Sequence, residues 1–280
     1  MQKIINGKVR DVYAIDDQRL VIVTSDRISA YDVVLKAPIT DKGKVLNALT
    51  LFWFSYTKDI IQNHLLSTKL TDMPAYFQKP EFAERTVMVK KLRMLPFEFI
   101  VRGYIFGNMW QAYQDDKEFC GAKIEGDYQQ AQKLTTPILT PSRKMNEGHD
   151  LYISFEEVVT ELGSETAEEI KQLCFKLYEA CYNYAYDKGI IIADTKFEFG
   201  FDENQNLVLA DEIFTPDSSR FWSLADYTIG VSPKSYDKQF IRDWLMNNMI
   251  DGVIQFDHVP ADILAKTASI YQDCLQTLTK

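Results

Sequence analysis

The sequence predicts a two-lobed α+β protein, an antiparallel N-terminal lobe over residues 1–92 and a mixed C-terminal lobe over residues 93–280. Three observations carry this. Alternating, β-branched segments dominate the first third of the chain. Long amphipathic helices dominate the last third. Between them, Lys91 to Pro96 reads as a connector, and a ligand held between two lobes is a common arrangement.

In the first lobe, Val9 to Ile15, Arg19 to Thr24 and Thr86 to Leu92 read as strands, with Asp16-Asp17-Gln18 as a turn. A helix starting near Lys44 interrupts them, with Leu46, Leu49, Trp53 and Ile60 on one face. Past the connector, Phe97 to Val101 reads as a strand and Tyr104 to Tyr113 as a helix. Gln129 to Asp150 has no clear period and reads as a long loop, the kind that is usually functional or disordered. Thr166 to Lys188 reads as a helix, with Thr166 and Glu169 as a capping box and Gly189 as its stop. Tyr236 to Met249 and Pro260 to Thr279 are the closing helices.

Composition narrows the function. A chain of 280 residues buries roughly three quarters of its unfolded surface, enough for one large domain or two lobes. The net charge of −9 argues against broad nucleic-acid binding, while allowing a locally basic pocket. Cys120, Cys174, Cys181 and Cys274 have no CxxC spacing, so neither a zinc site nor a disulfide framework is expected. Cys174 and Cys181 fall on the apolar face of a helix and read as core thiols. No stretch resembles a signal peptide or a membrane span, and a reducing cytoplasm is the expected location.

The segment Asp194-Thr195-Lys196-Phe197-Glu198-Phe199-Gly200 is the richest in chemistry. As a strand it puts Asp194, Lys196 and Glu198 on one face and Thr195, Phe197 and Phe199 on the other. The turn-forming Asp202 to Asn206 and a second strand, Leu207 to Ile213, follow. A register pairing Glu198 with Leu209 puts Lys196 opposite Asp211. It makes Glu198 and Asp211 diagonal neighbours, roughly 7–8 Å apart at the backbone. Converging carboxylates either hold a hard cation such as Mg²⁺ with substrate phosphates, or the hairpin is simply exposed with a Lys–Asp pair.

Other segments carry weaker signals. Gly7-Lys8-Val9-Arg10-Asp11 suits a phosphate approached by backbone, although no G-x-x-x-x-G-K-[ST] or G-x-G-x-x-G motif is present. Lys90, Lys91 and Arg93 are either an exposed basic hinge or a segment whose backbone bonds an adenine ring. Arg102, followed by Gly103, Gly107 and Asn108 ahead of a helix, suits an anion. Thr215 to Arg220 offers hydroxyls and a guanidinium at the hairpin's acidic end. No H-R-D-x-x-x-x-N or D-F-G motif supports a protein kinase.

Together these segments resemble the phosphoribosylaminoimidazole-succinocarboxamide synthase, or SAICAR synthetase, family of purine biosynthesis. The resemblance runs through Gly7 to Asp11, Ser25 to Asp32, Leu95 to Arg102, Thr140-Pro141-Ser142, Gly148-His149-Asp150, Asp194 to Gly200 and Leu209 to Trp222. Ser235 to Gln239 matches a longer form of the family. It implies a fold related to ATP-grasp enzymes, with residues 1–92 covering the nucleotide and 93–280 holding metal and substrates. It implies an ATP-dependent ligase that joins L-aspartate to the carboxylate of carboxyaminoimidazole ribotide (CAIR) through an acyl phosphate, with Mg²⁺. Lys8, Arg10, Lys90, Lys91, Arg93, Glu198 and Asp211 would serve ATP. Glu198 and Asp211 would hold the metal. Arg102, Asn108, Asp194, Lys196 and Arg220 would serve CAIR, with Asp194 and Lys196 nearest the chemistry. Nucleic acid and membrane are not implied partners, and self-association is left open. Asn108 stands where the family usually has Ser, and Arg143 where it often has Thr.

Overall fold

A computed structural model of the chain describes residues 2–31, 33–145, 150–250 and 252–280. Asp32, Gly148 and His149, which fall in segments that carry the resemblance, lie outside the described residues. The N-terminal part runs β1 (Gln2–Asn6), β2 (Arg10–Ala14), β3 (Arg19–Thr24), the short pair β4 (Ser29–Ala30) and β5 (Val33–Val34), α1 (Lys42–Tyr56), β6 (Leu65–Ser67) and β7 (Thr86–Lys90). Among the described residues its main sheet has the order β1-β2-β3-β7-β6 and is antiparallel. Both faces of this sheet are apolar. Tyr13, Val21, Val23 and Met88 pack on Met73, Phe77 and Phe82 in a small core. Val12, Leu20, Ile22 and Val89, one residue out of phase, face a cleft.

The C-terminal part runs β8 (Arg93–Met94), β9 (Phe97–Tyr104), α2 (Asn108–Asp115), β10 (Glu118–Phe119), β11 (Ala122–Lys123), β12 (Lys133–Arg143), β13 (Leu151–Tyr152), α3 (Phe155–Leu162), α4 (Ser164–Asp187), β14 (Ile190–Phe201), β15 (Leu207–Ala210), β16 (Ser219–Ser223), α5 (Gln239–Asn247) and α6 (Ala261–Thr279). Its sheet has the order β13-β12-β9-β14-β15, and β14 also pairs with β16 and β8. These pairings are all antiparallel. The lobe is mixed because helices cover the sheet: Phe97, Phe99, Phe197 and Phe199 pack with Ile170, Cys174, Leu177 and Cys181 of α4. All three cysteines of α4 and α6 are buried free thiols.

Helix α1 does not stay with its own lobe. Val45, Leu46, Leu49 and Trp53 bury into the C-terminal core, with Trp53 5.3 Å from Phe214 and 5.6 Å from Tyr184. It begins at Lys42 and ends at Tyr56, so Ile60, predicted on its face, lies beyond it. Gly43 is required at its start, because a Cβ there would lie 2.4 Å from the Thr24 carbonyl oxygen.

Four further boundaries differ from expectation. Lys133–Arg143 is a strand rather than loop, paired along β9; cross-strand bonding, not periodicity, makes it one. Tyr104 ends a strand, and α2 starts only at Asn108, after Gly107 at φ 59°. The capping box sits at Ser154 and Glu157 of α3, an unexpected helix. Helix α4 already starts at Ser164, which leaves Thr166 inside it.

Candidate active site

The predicted charged face of β14 forms the floor of the cleft. Glu198 is buried; Lys196 donates to it at 2.5 Å, and Lys144 also donates to it. Lys196 also donates to Glu98 at 2.8 Å and lies 3.8 Å from Asp211. Three carboxylates from β9, β14 and the end of β15 therefore converge on one ammonium. Burial alone would raise the Glu198 carboxyl pKa, but Lys196 and Lys144 outweigh it and leave it below its ordinary value. Burial opposes the Lys196 charge, yet Glu198, Glu98 and Asp211 hold that ammonium well above the usual lysine range.

Glu198 and Asp211 meet, but not by the predicted register. Glu198 pairs with Ala210, and Phe199 with Leu209. The observed register puts the bulkier Leu209 in the core beside the phenylalanines, where it removes more apolar surface from water. In it, an extended Asp211 would share the face of Phe197. Instead β15 stops at Ala210, and Asp211 adopts φ 57°, which turns its carboxylate back toward Lys196. Two carboxylates sharing one cation is a donor set that suits Mg²⁺. Among the described residues no group of three or more His, Cys, Asp or Glu is arranged to hold a metal ion, so phosphate oxygens would have to complete its shell.

Arg10 closes the row. It meets Glu212 at 2.5 Å and Asp211 at 3.7 Å. Burial acts against its charge, but these acids more than compensate, and its pKa rises. Arg10, Glu198 and Asp211 all line a cavity of about 940 Å³ between the lobes, together with Lys8, Lys90 and the apolar Val12, Leu20, Ile22 and Val89. At the hinge Leu92 and Met94 face this cavity, whereas Lys91 and Arg93 are not in its lining. Arg93 donates to Gln205 instead, and the Lys90 and Lys91 amides donate to the His64 and Gln18 carbonyls.

On the other side of Lys196 lies a second cavity of about 280 Å³. Asp194 is its centre. β14 sits between β9 and β16, so Asp194 pairs across strands with both Arg102 and Arg220. Arg102 donates to it at 3.3 Å and to Thr140 at 2.9 Å, and Arg220 also donates to it. Gly107 abuts Arg220: a Cβ there would lie 2.8 Å from its terminal nitrogen. Asn108 donates to Tyr152, which lines the cavity, but does not line it itself. Buried Arg220 Nε, Arg242 Nε and Asp237 Oδ2 have no hydrogen-bond partner in the protein, and all three residues line this cavity. Lys196, Asp217 and Lys238 belong to both linings.

Glu98, Lys144, Glu212, Asp217 and Lys238 were not picked out from the sequence. Glu98 was findable, since it alternates with Phe97 and Phe99 as Glu198 does with its neighbours. Lys144 lies in the Gln129 to Asp150 segment, which has no hydrophobic period to mark it. Arg143 points elsewhere, to Glu161 of α3 at 2.7 Å.

An apolar slot beside a row of alternating charges, with an arginine-lined anion pocket across a shared wall of Lys196, Asp217 and Lys238, defines an enzyme that brings a nucleotide and an anionic co-substrate together. A SAICAR synthetase family model matches residues 3–256. The phosphoribosylaminoimidazole-succinocarboxamide synthases of Lachnospira eligens and Thermodesulfovibrio yellowstonii are 48% and 47% identical, each over 98% of this chain and 93% and 94% of their own lengths. The Saccharomyces cerevisiae SAICAR synthase structure in complex with SAICAR superposes with a TM-score of 0.90 at 40% identity, covering 99% of this chain and 94% of that one. The chain belongs to the SAICAR synthetase family, and it is an ATP-dependent ligase of purine biosynthesis. No helix among the described residues is long and apolar enough to cross a membrane.

Proposed function

We propose that the chain joins L-aspartate to the carboxylate of CAIR in the cytoplasm, with the nucleotide in the larger cavity and the ribotide in the smaller. The observation that carries this is the Lys196 wall between them, where the ATP γ-phosphoryl group and the CAIR carboxylate would meet. The N-terminal lobe, residues 1–92, covers the nucleotide, with its base against Val12, Leu20, Ile22 and Val89. Lys8 and Arg10 hold the phosphates, and Lys90 lies at the same cavity's edge; the Lys91 and Arg93 side chains have no direct part.

Glu198 and Asp211 would hold Mg²⁺, which neutralises phosphate charge when bound. Arg102 and Arg220 receive the ribotide's anionic group, and Asn108, at the start of α2, is placed beside it through Tyr152. Asp194 keeps both guanidiniums in register. Lys196, held by Glu98, steers the CAIR carboxylate oxygen toward the γ-phosphorus. That oxygen forms the new P–O bond as ADP leaves. The aspartate amine then attacks the acyl carbon, forms the C–N bond, loses a proton and expels phosphate. No side-chain nucleophile is needed, and positioning with charge neutralisation supplies the rate. Lys238, just before α5, and Arg242, four residues on in its first turn, are cations for a dicarboxylate at the smaller cavity.

The test is an omission assay. Purified protein receives ATP, Mg²⁺, CAIR and L-aspartate, each left out in turn, and succinocarboxamide is followed by absorbance. Product is expected only from the complete mixture. Product without ATP, or none from the complete mixture, refutes the reaction.

A further inference from the structure

Asp217 occupies the wall common to both cavities, and its side chain is only 3% exposed. Three elements address its carboxylate. Lys42, the first residue of α1 and wholly buried, donates to Oδ2 at 2.5 Å. The Tyr271 hydroxyl, from α6, donates to Oδ1 at 2.7 Å. Lys238, just before α5, lies 3.8 Å from the same Oδ1. The two lysines differ: Lys238 lines both cavities, and Lys42 lines neither. Tyr271 belongs to a helix, residues 261–279, that lies past the 3–256 matched by the family model.

These distances describe a competition. Lys42 compensates the Asp217 charge from inside the core, where breaking a paired charge is expensive. The Tyr271 hydroxyl takes the lone-pair direction on Oδ1 that a lysine would otherwise use. Lys238 is left at the long limit of an ion pair, with its ammonium free to turn into the cavities. Without the hydroxyl, Oδ1 has an open site and Lys238 closes onto it, away from the ligands.

We propose that Tyr271 is a positioning residue for the reaction: its hydroxyl holds Asp217 Oδ1 and so keeps Lys238 directed at the anionic groups that meet between the two cavities. The C-terminal helix is thereby part of the catalytic apparatus. This rests on the reaction proposed above, and wild-type turnover in the same assay tests that reaction separately.

The experiment is a double-mutant cycle on the full chain with Tyr271→Phe and Lys238→Met. Each single variant is expected to lose about tenfold in kcat/KM, the scale of one charge-assisted contact. Because Tyr271 acts through Lys238, the double variant is expected to match Lys238→Met alone. Losses that multiply in the double variant, or a Tyr271→Phe enzyme with wild-type kcat and KM, overturn the proposal. A lowered melting temperature with intact kinetics also overturns it, because a purely structural tyrosine does that. Tyr271→Phe keeps the buried ring; should it fail to fold, Lys238→Arg gives the second arm. The longer side chain reaches the cavities past Asp217 and should retain activity that Lys238→Met loses. Equal losses in both lysine variants refute the directed cation. Absence of product from wild type sinks the reaction itself, a distinct result.

Discussion

Replacing Gly107 with alanine tests the anion pocket without touching a charged residue. Gly107 sits at φ 59° and ψ −137°, a region that essentially only glycine occupies, so strain alone costs about 1–3 kcal/mol. A new Cβ would also stand 2.8 Å from the Arg220 terminal nitrogen and 3.2 Å from its Cζ, so the guanidinium must shift. Arg220 has little room to follow, since it also meets Asp194, which Arg102 holds from the opposite strand. A charge-assisted contact is worth about 1.5–3 kcal/mol, so KM for the ribotide should rise about 10- to 100-fold. KM for ATP should stay near wild type, because Gly107 is on the far side of Lys196. Melting temperature should fall by about 2–5 °C. Gly189→Ala is the control: Gly189 is at φ 81° with nothing within 4 Å of its would-be Cβ, so it should cost about 1–2 kcal/mol and leave both KM values alone. Normal ribotide binding by Gly107→Ala, or equal weakening by Gly189→Ala, would refute this role for Gly107.

Glu198→Gln should cut turnover at least 100-fold while the fold persists, because Lys196 keeps Glu98 and Asp211; normal kcat at any Mg²⁺ concentration would exclude a metal role. His64 should make stability fall with acid. Burial holds its pKa at about 4 against an ordinary 6.5, so the folded state favours the neutral ring. Its contribution is complete above pH 6.5 and is lost as pH drops toward 4, about 2 kcal/mol by pH 5. Urea midpoints at pH 7.5 and 5 should converge in His64→Gln relative to wild type, and parallel curves would count against this. Arg143→Thr should change stability by less than about 1 kcal/mol and leave kinetics intact, since its pair with Glu161 is solvent-exposed; a kinetic defect would contradict that. Cys120, half-buried with its thiol pushed up to about 11 by burial, should label slowly in the folded protein, and Cys174, Cys181 and Cys274 not at all. Rapid labelling of several thiols would refute this packing.

Local pattern was enough for the charged face of β14. Period-2 alternation separates Asp194, Lys196 and Glu198 from the phenylalanines whatever the strand pairs with. The same is true of the buried stripe of α4, whose apolar residues recur at helical spacing without outside help. The partners of that face were another matter. The meeting of Glu198 with Asp211 was anticipated for a reason that does not hold: a left-handed Asp211, not the hairpin register, turns the carboxylate inward. A single backbone torsion leaves no mark in hydrophobic period. Strand β12, and Lys144 just past its end, were invisible because pairing with β9, not its own composition, makes that segment a strand. Asp217, Lys42, Lys238 and Tyr271 come from four separate stretches of chain. Each is unremarkable alone, and only packing shows that one buried carboxylate joins them. Sequence by itself thus determined which residue types face together along a strand or helix, because that depends on neighbours two to four positions away. Tertiary structure alone decided which of those faces meet, because burial and charge compensation act between residues that covalent order keeps far apart.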